Sequence, residues 1–327
     1  MLTKRKIYLA PMEGITTYIF RRAIAKYYGG IDRYYTPFLT ASHLKGRELR
    51  DVTPENNLGM DVVPQILTND SALFLTIARQ LEELGYTEVN LNLGCPSGTV
   101  VSKGRGAGFL DKVQELDRFL YDIYAGCDNT ELSISIKTRL GMEFLSEWDD
   151  ILRVYIKYPI KELIIHPRLR NEFYTGRVHI DEFVKACNTL YNESSFKGSI
   201  CYNGDIIDKR SYKDISDSLH KIHSPINVMI GRGLIMNPNL AWEIMNSDNS
   251  EKKEFDKNKF RSFITEIMED YIVEMSNEKQ VVMKMKELWT YFAMGLGLDK
   301  SRLKEIHKVN KLSDYKNAVQ MIFSQIY

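Results

Sequence analysis

Apolar and polar positions fall into two alternating patterns along the chain. Short runs rich in β-branched and aromatic residues recur: KIYLAP at 6–11, DRYYTPF at 32–38, DVVPQIL at 61–67 and TEVNLNLG at 87–94. ELSISIKT at 131–138, KELIIHP at 161–167, GSICYNG at 198–204 and PINVMIG at 225–231 complete the set. Most are followed by a loop and then by apolar residues at three- and four-residue spacing, the period of a half-buried helix. Such stretches are TTYIFRRAIAKYY, NDSALFLTIARQLEELG, SEWDDILRVYIKY, DEFVKACNTLY, IDKRSYKDISDSLHKI and NPNLAWEIM. The second has Asn/Asp/Ser cap candidates and Gly85 as a stop, and the third starts at Ser146.

Strands alternating with helices imply parallel pairing with the helices outside. Eight such units over roughly 240 residues predict a closed (β/α)8 TIM barrel. A doubly wound sheet is the competing arrangement, but no G-x-G-x-x-G follows the first strand. After about Trp242 the rhythm stops. FRSFITEIMEDYIVEM and VVMKMKELWTYFAMGLG read as helices, joined to the barrel by the polar connector NSDNSEKKEFDKNK. The expectation is a barrel over residues 1–244 and an all-helical domain over 245–327.

A hydrophobic content of 44% over 327 residues supports a large core. Net charge is +1, so the overall balance names no partner. Its distribution is more informative: between Lys279 and Lys316 nine Lys/Arg face four Asp/Glu, an excess of five that suits a polyanion. The four cysteines, Cys95, Cys127, Cys187 and Cys201, form no C-x-x-C pair and have no metal-ligand spacing with histidine. That argues against a disulfide framework or a metal site and for a reducing compartment. With no apolar signal core or membrane-length run, a soluble, cytoplasmic, monomeric protein is expected.

Barrels present function at the C-terminal ends of their strands. Here those ends read Ala10-Pro11-Met12, Gln65, Asn90/Asn92 then Cys95, Lys137/Arg139, His166/Arg168, Asn203-Gly204-Asp205 and Gly231-Arg232-Gly233. Every end except the second carries a polar, cationic or glycine feature. The glycine-flanked amides after strands seven and eight, with Arg232, suit a phosphate. Gln65, Asn92 and Lys137 offer donors for a polar ring edge. FMN meets both requirements; a sugar phosphate would meet the same loops. Cys95 sits at a strand end before a pliable glycine-rich loop, with Lys103 and Arg105 placed to lower its pKa or to recruit an anionic substrate. A thiol there can also act as a general acid.

These residues carry a resemblance. LAPMEGIT, VNLNLGCPSGTVVSKGRGAGFL, SIKTRLG, YNGDI and IGRGLIMNP resemble the motifs of the tRNA-dihydrouridine synthases. IIHPRLRNEFYTG departs from the commoner H-x-R-T form, with Leu169 where Thr is usual and the spacing to Tyr174 and Gly176 kept. The resemblance implies FMN-dependent reduction of the C5–C6 bond of a tRNA uridine with NADPH. It implies Cys95 as proton donor, and Pro11, Met12, Gln65, Lys137, His166, Asn203, Gly204, Asp205, Gly231 and Arg232 around the cofactor. Asn92, Arg139, Arg168, Lys103 and Arg105 fall on the substrate side. It implies tRNA, not DNA or membrane, as partner, gripped by the helical domain through Lys284, Lys286, Lys300, Arg302, Lys304 and Lys308. Trp289, Tyr291 and Phe292 either stack on RNA or, as their spacing favours, fill a helix core. Two other functions share parts of this pattern: an FMN barrel reducing a small molecule such as dihydroorotate or an enone, and a barrel using Lys137 as a Schiff-base lysine.

Overall fold

Eight parallel strands close into a barrel in chain order: β1 (Ile7–Leu9), β2 (Arg33–Leu39), β3 (Val62–Ile66), β4 (Glu88–Leu93), β5 (Ser133–Gly141), β6 (Glu162–Leu169), β7 (Ser199–Asn203) and β8 (Asn227–Ile230), with β8 pairing back onto β1. The structure is a computed structural model describing residues 5–128, 130–192, 196–222, 224–246 and 255–325. The outer helices are α1 (Tyr18–Tyr27), α2 (Gly46–Val52), α3 (Ser71–Glu83), α4 (Gly98–Val101), α5 (Val113–Cys127), α6 (Glu147–Tyr155), α7 (Ile180–Asn192), α8 (Lys209–Leu219), α9 (Arg232–Met236) and α10 (Leu240–Met245). Local signals set their ends. Asp70 caps α3 by accepting from the Leu73 amide, and Gly85 follows it at φ +89°. Asp208 and Ser211 form a capping box at the start of α8.

Alternation along each strand sorts side chains into two layers. Outward residues join the helices in one large core. Inward residues (Tyr8, Ala10, Tyr35, Val63, Ile164, Cys201 and Met229) fill the barrel. Below them the buried carboxylate of Glu162 accepts from Tyr8, Tyr35, Ser199 and Asn227, and Arg33 pairs with Asp61 and Glu88. This polar cluster fills the N-terminal end of the barrel among the described residues.

The C-terminal helices are α11 (Lys257–Glu274), α12 (Glu278–Gly295), α13 (Lys300–Lys308) and α14 (Leu312–Gln325). Phe263 of α11 meets the rings of Phe20, Tyr27 and Tyr28 edge-on, with centroids 5.4–6.1 Å apart. Trp289 and Phe292 are fully buried, and the Trp289 indole donates to Tyr315 (2.8 Å). The core reading therefore holds for these two aromatics. α11 begins at Lys257, so the last three residues of the supposed connector are helical; 247–254 lie outside the described residues. Among the described residues no helix is long and apolar enough to cross a membrane.

Candidate active site

A cavity of about 340 Å³ lies at the C-terminal rim. It is within the range of small-molecule sites, near the lower end. Ala10, Pro11 and Met12 after β1, Asn92 and Cys95 after β4, Lys137 and Arg139 of β5, and His166 of β6 line it. Asn203, Gly204 and Asp205 after β7 and Gly231 and Arg232 after β8 complete the ring. Register brings the central groups together: Asn92 pairs with Lys137 across β4–β5, and Arg139 with His166 across β5–β6.

The electrostatics follow from burial among cations. Burial raises the pKa of the Cys95 thiol above its ordinary value, although the Ser97 amide, Lys137 and Arg139 pull the other way. Cys95 is thus a protonated thiol at neutral pH. The expected influence of Lys103 and Arg105 is corrected: neither lines the cavity. Lys103 is exposed, and Arg105 donates to Asn69 (3.3 Å). Burial, with Arg139 adding repulsion, brings Lys137 down to about 8. No acidic partner holds its ammonium among the described residues. His166 is pushed well below its usual value by burial and by Arg139, Lys137, Arg168 and Arg232. Arg168 Nη1 lies 3.3 Å from His166 Nε2. A guanidinium can only donate, so Nε2 accepts and the ring is neutral.

The second half of the glycine-rich loop after Cys95, 106–110, is buried. Gly106 adopts φ +57°, and a Cβ there would sit 2.9 Å from the Cys95 carbonyl oxygen, to which Ala107 donates (3.0 Å). The Asn92 side chain accepts from the amides of Gly94 and Cys95, both at 3.0 Å. Arg139 donates to the carbonyls of Gly94, Leu169 and Phe173 at 2.7–3.0 Å, clamping the β4 end to the β6 loop. The departure at Leu169 is absorbed here: its side chain joins the core, while its carbonyl and amide serve Arg139 and Glu172.

Two expected ligands lie outside the cavity wall. Gln65 is fully buried one layer beneath, donating to Asn90 (2.8 Å) and accepting from Asn92 (2.7 Å). Arg168 is buried behind the wall, donating to both Asp205 oxygens and to Gly176. Asp205 also accepts from Arg232 (2.9 Å), so one carboxylate aligns two guanidiniums. The cavity also contains residues not expected to line it: Glu13, Phe38 from the supposedly featureless second strand end, Tyr174 and Tyr291. Tyr174 lies within the β6 motif, whereas only the fold brings Tyr291 of α12 to the mouth.

The basic candidates of the C-terminal helices divide. Lys284 is tied to Glu287 (2.7 Å) and the Gly14 carbonyl, Lys286 to Asn310 (3.4 Å), and Arg302 to Asp299 (3.8 Å). Lys300, Lys304 and Lys308 are exposed at four-residue intervals on α13, one helix face.

A family model described as Dihydrouridine synthase (Dus) matches residues 8–326. This chain belongs to the dihydrouridine synthase family. A Staphylococcus epidermidis protein named "Probable tRNA-dihydrouridine synthase" is 29% identical over 249 residues, 75% of this chain and 73% of that one. Its Bacillus subtilis counterpart, "Probable tRNA-dihydrouridine synthase 2", is 28% identical over 252 residues, 76% and 74% of the two chains. In this member of the Dus family the matched region takes in the whole rim, from Ala10 to Arg232, and the C-terminal helix that brings Tyr291.

Proposed function

We propose that this protein reduces the C5–C6 double bond of specific uridines in tRNA to 5,6-dihydrouridine, with FMN in the cavity and NADPH as reductant. The observation that carries the reading is that Cys95 shares one cavity with Lys137, which has no acidic partner among the described residues, and with the paired glycine loops after β7 and β8. The relatives' names supply the substrate.

The residues fit a flavin nucleotide. Gly231 leaves a cradle that a Cβ would fill, 3.3 Å from Met12 Sδ and 3.4 Å from Ala10 Cβ. Pro11 and Met12 would lie against the ring. Lys137 and His166 would meet its polar edge, and Asn203, Gly204, Gly231 and Arg232 the phosphate side, with Asp205 aligning Arg232. Gln65 acts through Asn92. The chemistry that a flavin held by these residues would supply is hydride for C6 of the uracil, with NADPH as the reductant.

Cys95 gives its proton to C5, and the resulting thiolate regains one from water. The raised pKa keeps the acid loaded before transfer, and Lys137 and Arg139 steady the thiolate afterwards. Asn92, its carbonyl engaged by two amides, holds the strand end in register for that transfer. The base must leave its stack to reach the rim. Residues 245–327, as a second domain that includes helices α11–α14, hold the tRNA backbone, with Lys300, Lys304 and Lys308 of α13 as exposed cations.

Mapping dihydrouridine in tRNA from cells with and without this gene tests the reading. Loss at one or more positions is expected; identical maps overturn it.

A further inference from the structure

We propose that the rim built by the β5–α6 and β6–α7 loops is a stacking platform for the unpaired RNA bases that flank the target uridine. The proposal rests on the reading of the cavity given above. Phe173 carries it. Its φ is 48°, in the left-handed region that glycine adopts freely and a bulky aromatic residue rarely does. Its side chain is 42% exposed, so burial offers little to offset that backbone. The turn itself has a use, because the Phe173 carbonyl accepts from Arg139 (2.7 Å). A carbonyl is all that interaction needs, and glycine would provide it. Beyond its contact with the Arg170 guanidinium, the exposed ring adds little to folding.

Its surroundings point to the ligand. The Arg170 guanidinium lies 5.1 Å from the Phe173 ring centroid. Arg170 Nε is buried with no hydrogen-bond partner among the described residues. Phe144, on the neighbouring loop, is 65% exposed. The two loops are zipped together: the Arg170 amide donates to Gly141 (2.9 Å) and the Asn171 amide to Met142 (3.2 Å). The Glu147 carboxylate accepts from the amides of Met142, Glu143 and Phe144 at 2.6–3.1 Å, so Phe144 is held out on a fixed loop. Tyr174, next in sequence to Phe173 and half exposed, lines the cavity.

The result is three exposed rings on two tied loops beside the mouth, with a guanidinium against one of them. A nucleotide entering that mouth brings its neighbours across this rim. Unpaired bases stack on aromatic faces regardless of sequence, and cations beside the rings meet phosphate. A protein or lipid partner would want an apolar patch without that buried, unsatisfied guanidinium nitrogen.

The test compares Phe173→Gly, Phe173→Trp and Phe144→Ala holoenzymes with the wild type, using unmodified tRNA transcript. Measured are Tm, tRNA Kd, KM and kcat. Phe173→Gly is expected to leave Tm unchanged or higher, because the backbone is relieved, while weakening tRNA binding about tenfold. Most of the loss should fall on KM, with a much smaller change in kcat. Phe144→Ala should weaken binding similarly, and Phe173→Trp should keep wild-type affinity. Wild-type affinity in both Phe173→Gly and Phe144→Ala overturns the platform. A lowered Tm with unchanged affinity does the same, by making the ring structural. If wild-type protein neither binds nor reduces tRNA, the functional reading itself falls, and the platform with it.

Discussion

Cys95 and Lys137 occupy one cavity but are perturbed in opposite directions by the same burial. For Cys95 this keeps the proton in place, as an acid requires. Cys95→Ala should therefore lower kcat roughly 10²–10⁴-fold with tRNA affinity little changed, checked by single-turnover kinetics beside a binding titration. For Lys137 burial is a cost in the ligand-free protein. Its pKa falls from 10.5 to about 8, so between these values the folded state binds fewer protons than the unfolded chain. Stability should rise with pH across that window. Lys137→Met should raise Tm of the flavin-free protein at pH 7, with the gain vanishing above about pH 10.5, and should weaken FMN binding. Thermal melts across pH check both. The N-L-G-C-P stretch made Cys95 legible as a candidate acid, but the direction of its shift was not. Lys103 and Arg105 are near in sequence, whereas the cations that face the thiol come from β5 through strand pairing.

Glycine lets backbones meet closely at two helix contacts near the rim. A Cβ on Gly233 would collide with the carbonyl oxygen of Ile206, joining the β7 loop to the start of α9. On Gly295 it would collide with the carbonyl oxygen of Met236, where α12 rests on the end of α9. Gly295→Ala should cost about 1–3 kcal/mol by overpacking, measurable in denaturant melts. Since Tyr291 lies one turn earlier on α12, the same change should move it from the mouth and raise KM for tRNA. At this scale the strands were readable because β-branched and aromatic runs recur with regular spacing. Helix α5 carries an equally clear pattern, burying Leu116, Phe119, Leu120, Ile123 and Cys127, yet it passes unread behind the glycine-rich loop that draws the eye to chemistry. Tyr291 was unreadable as a cavity residue because its flanking neighbours, Trp289 and Phe292, are core, and only the docking of α12 distinguishes it.

Across the whole molecule, a barrel filled below by Glu162 and its donors carries the cavity on its C-terminal rim, and that rim faces the helices bearing the basic excess. The order β1 to β8 was legible because each strand meets its sequence neighbour and no crossing arises. The partition of the cations was legible only in part: Glu287 and Asp299 lie three residues from Lys284 and Arg302, whereas Asn310 and the Gly14 carbonyl meet Lys286 and Lys284 only once the chain packs. Replacing Lys300, Lys304 and Lys308 with Gln should weaken tRNA binding and flatten its dependence on salt, by roughly 0.7–0.9 in log–log slope for each phosphate no longer neutralised. A matching triple change at Lys284, Lys286 and Arg302 should do less. The central claim is that this cavity delivers hydride and the Cys95 proton to a tRNA uridine. Its most direct measurement is dihydrouridine formed when purified, flavin-loaded protein meets unmodified tRNA and NADPH. The account predicts conversion at defined uridines by the wild type and conversion slowed at least about a hundredfold by Cys95→Ala. Unaltered tRNA after incubation with the wild type, or equal rates for both proteins, would contradict it.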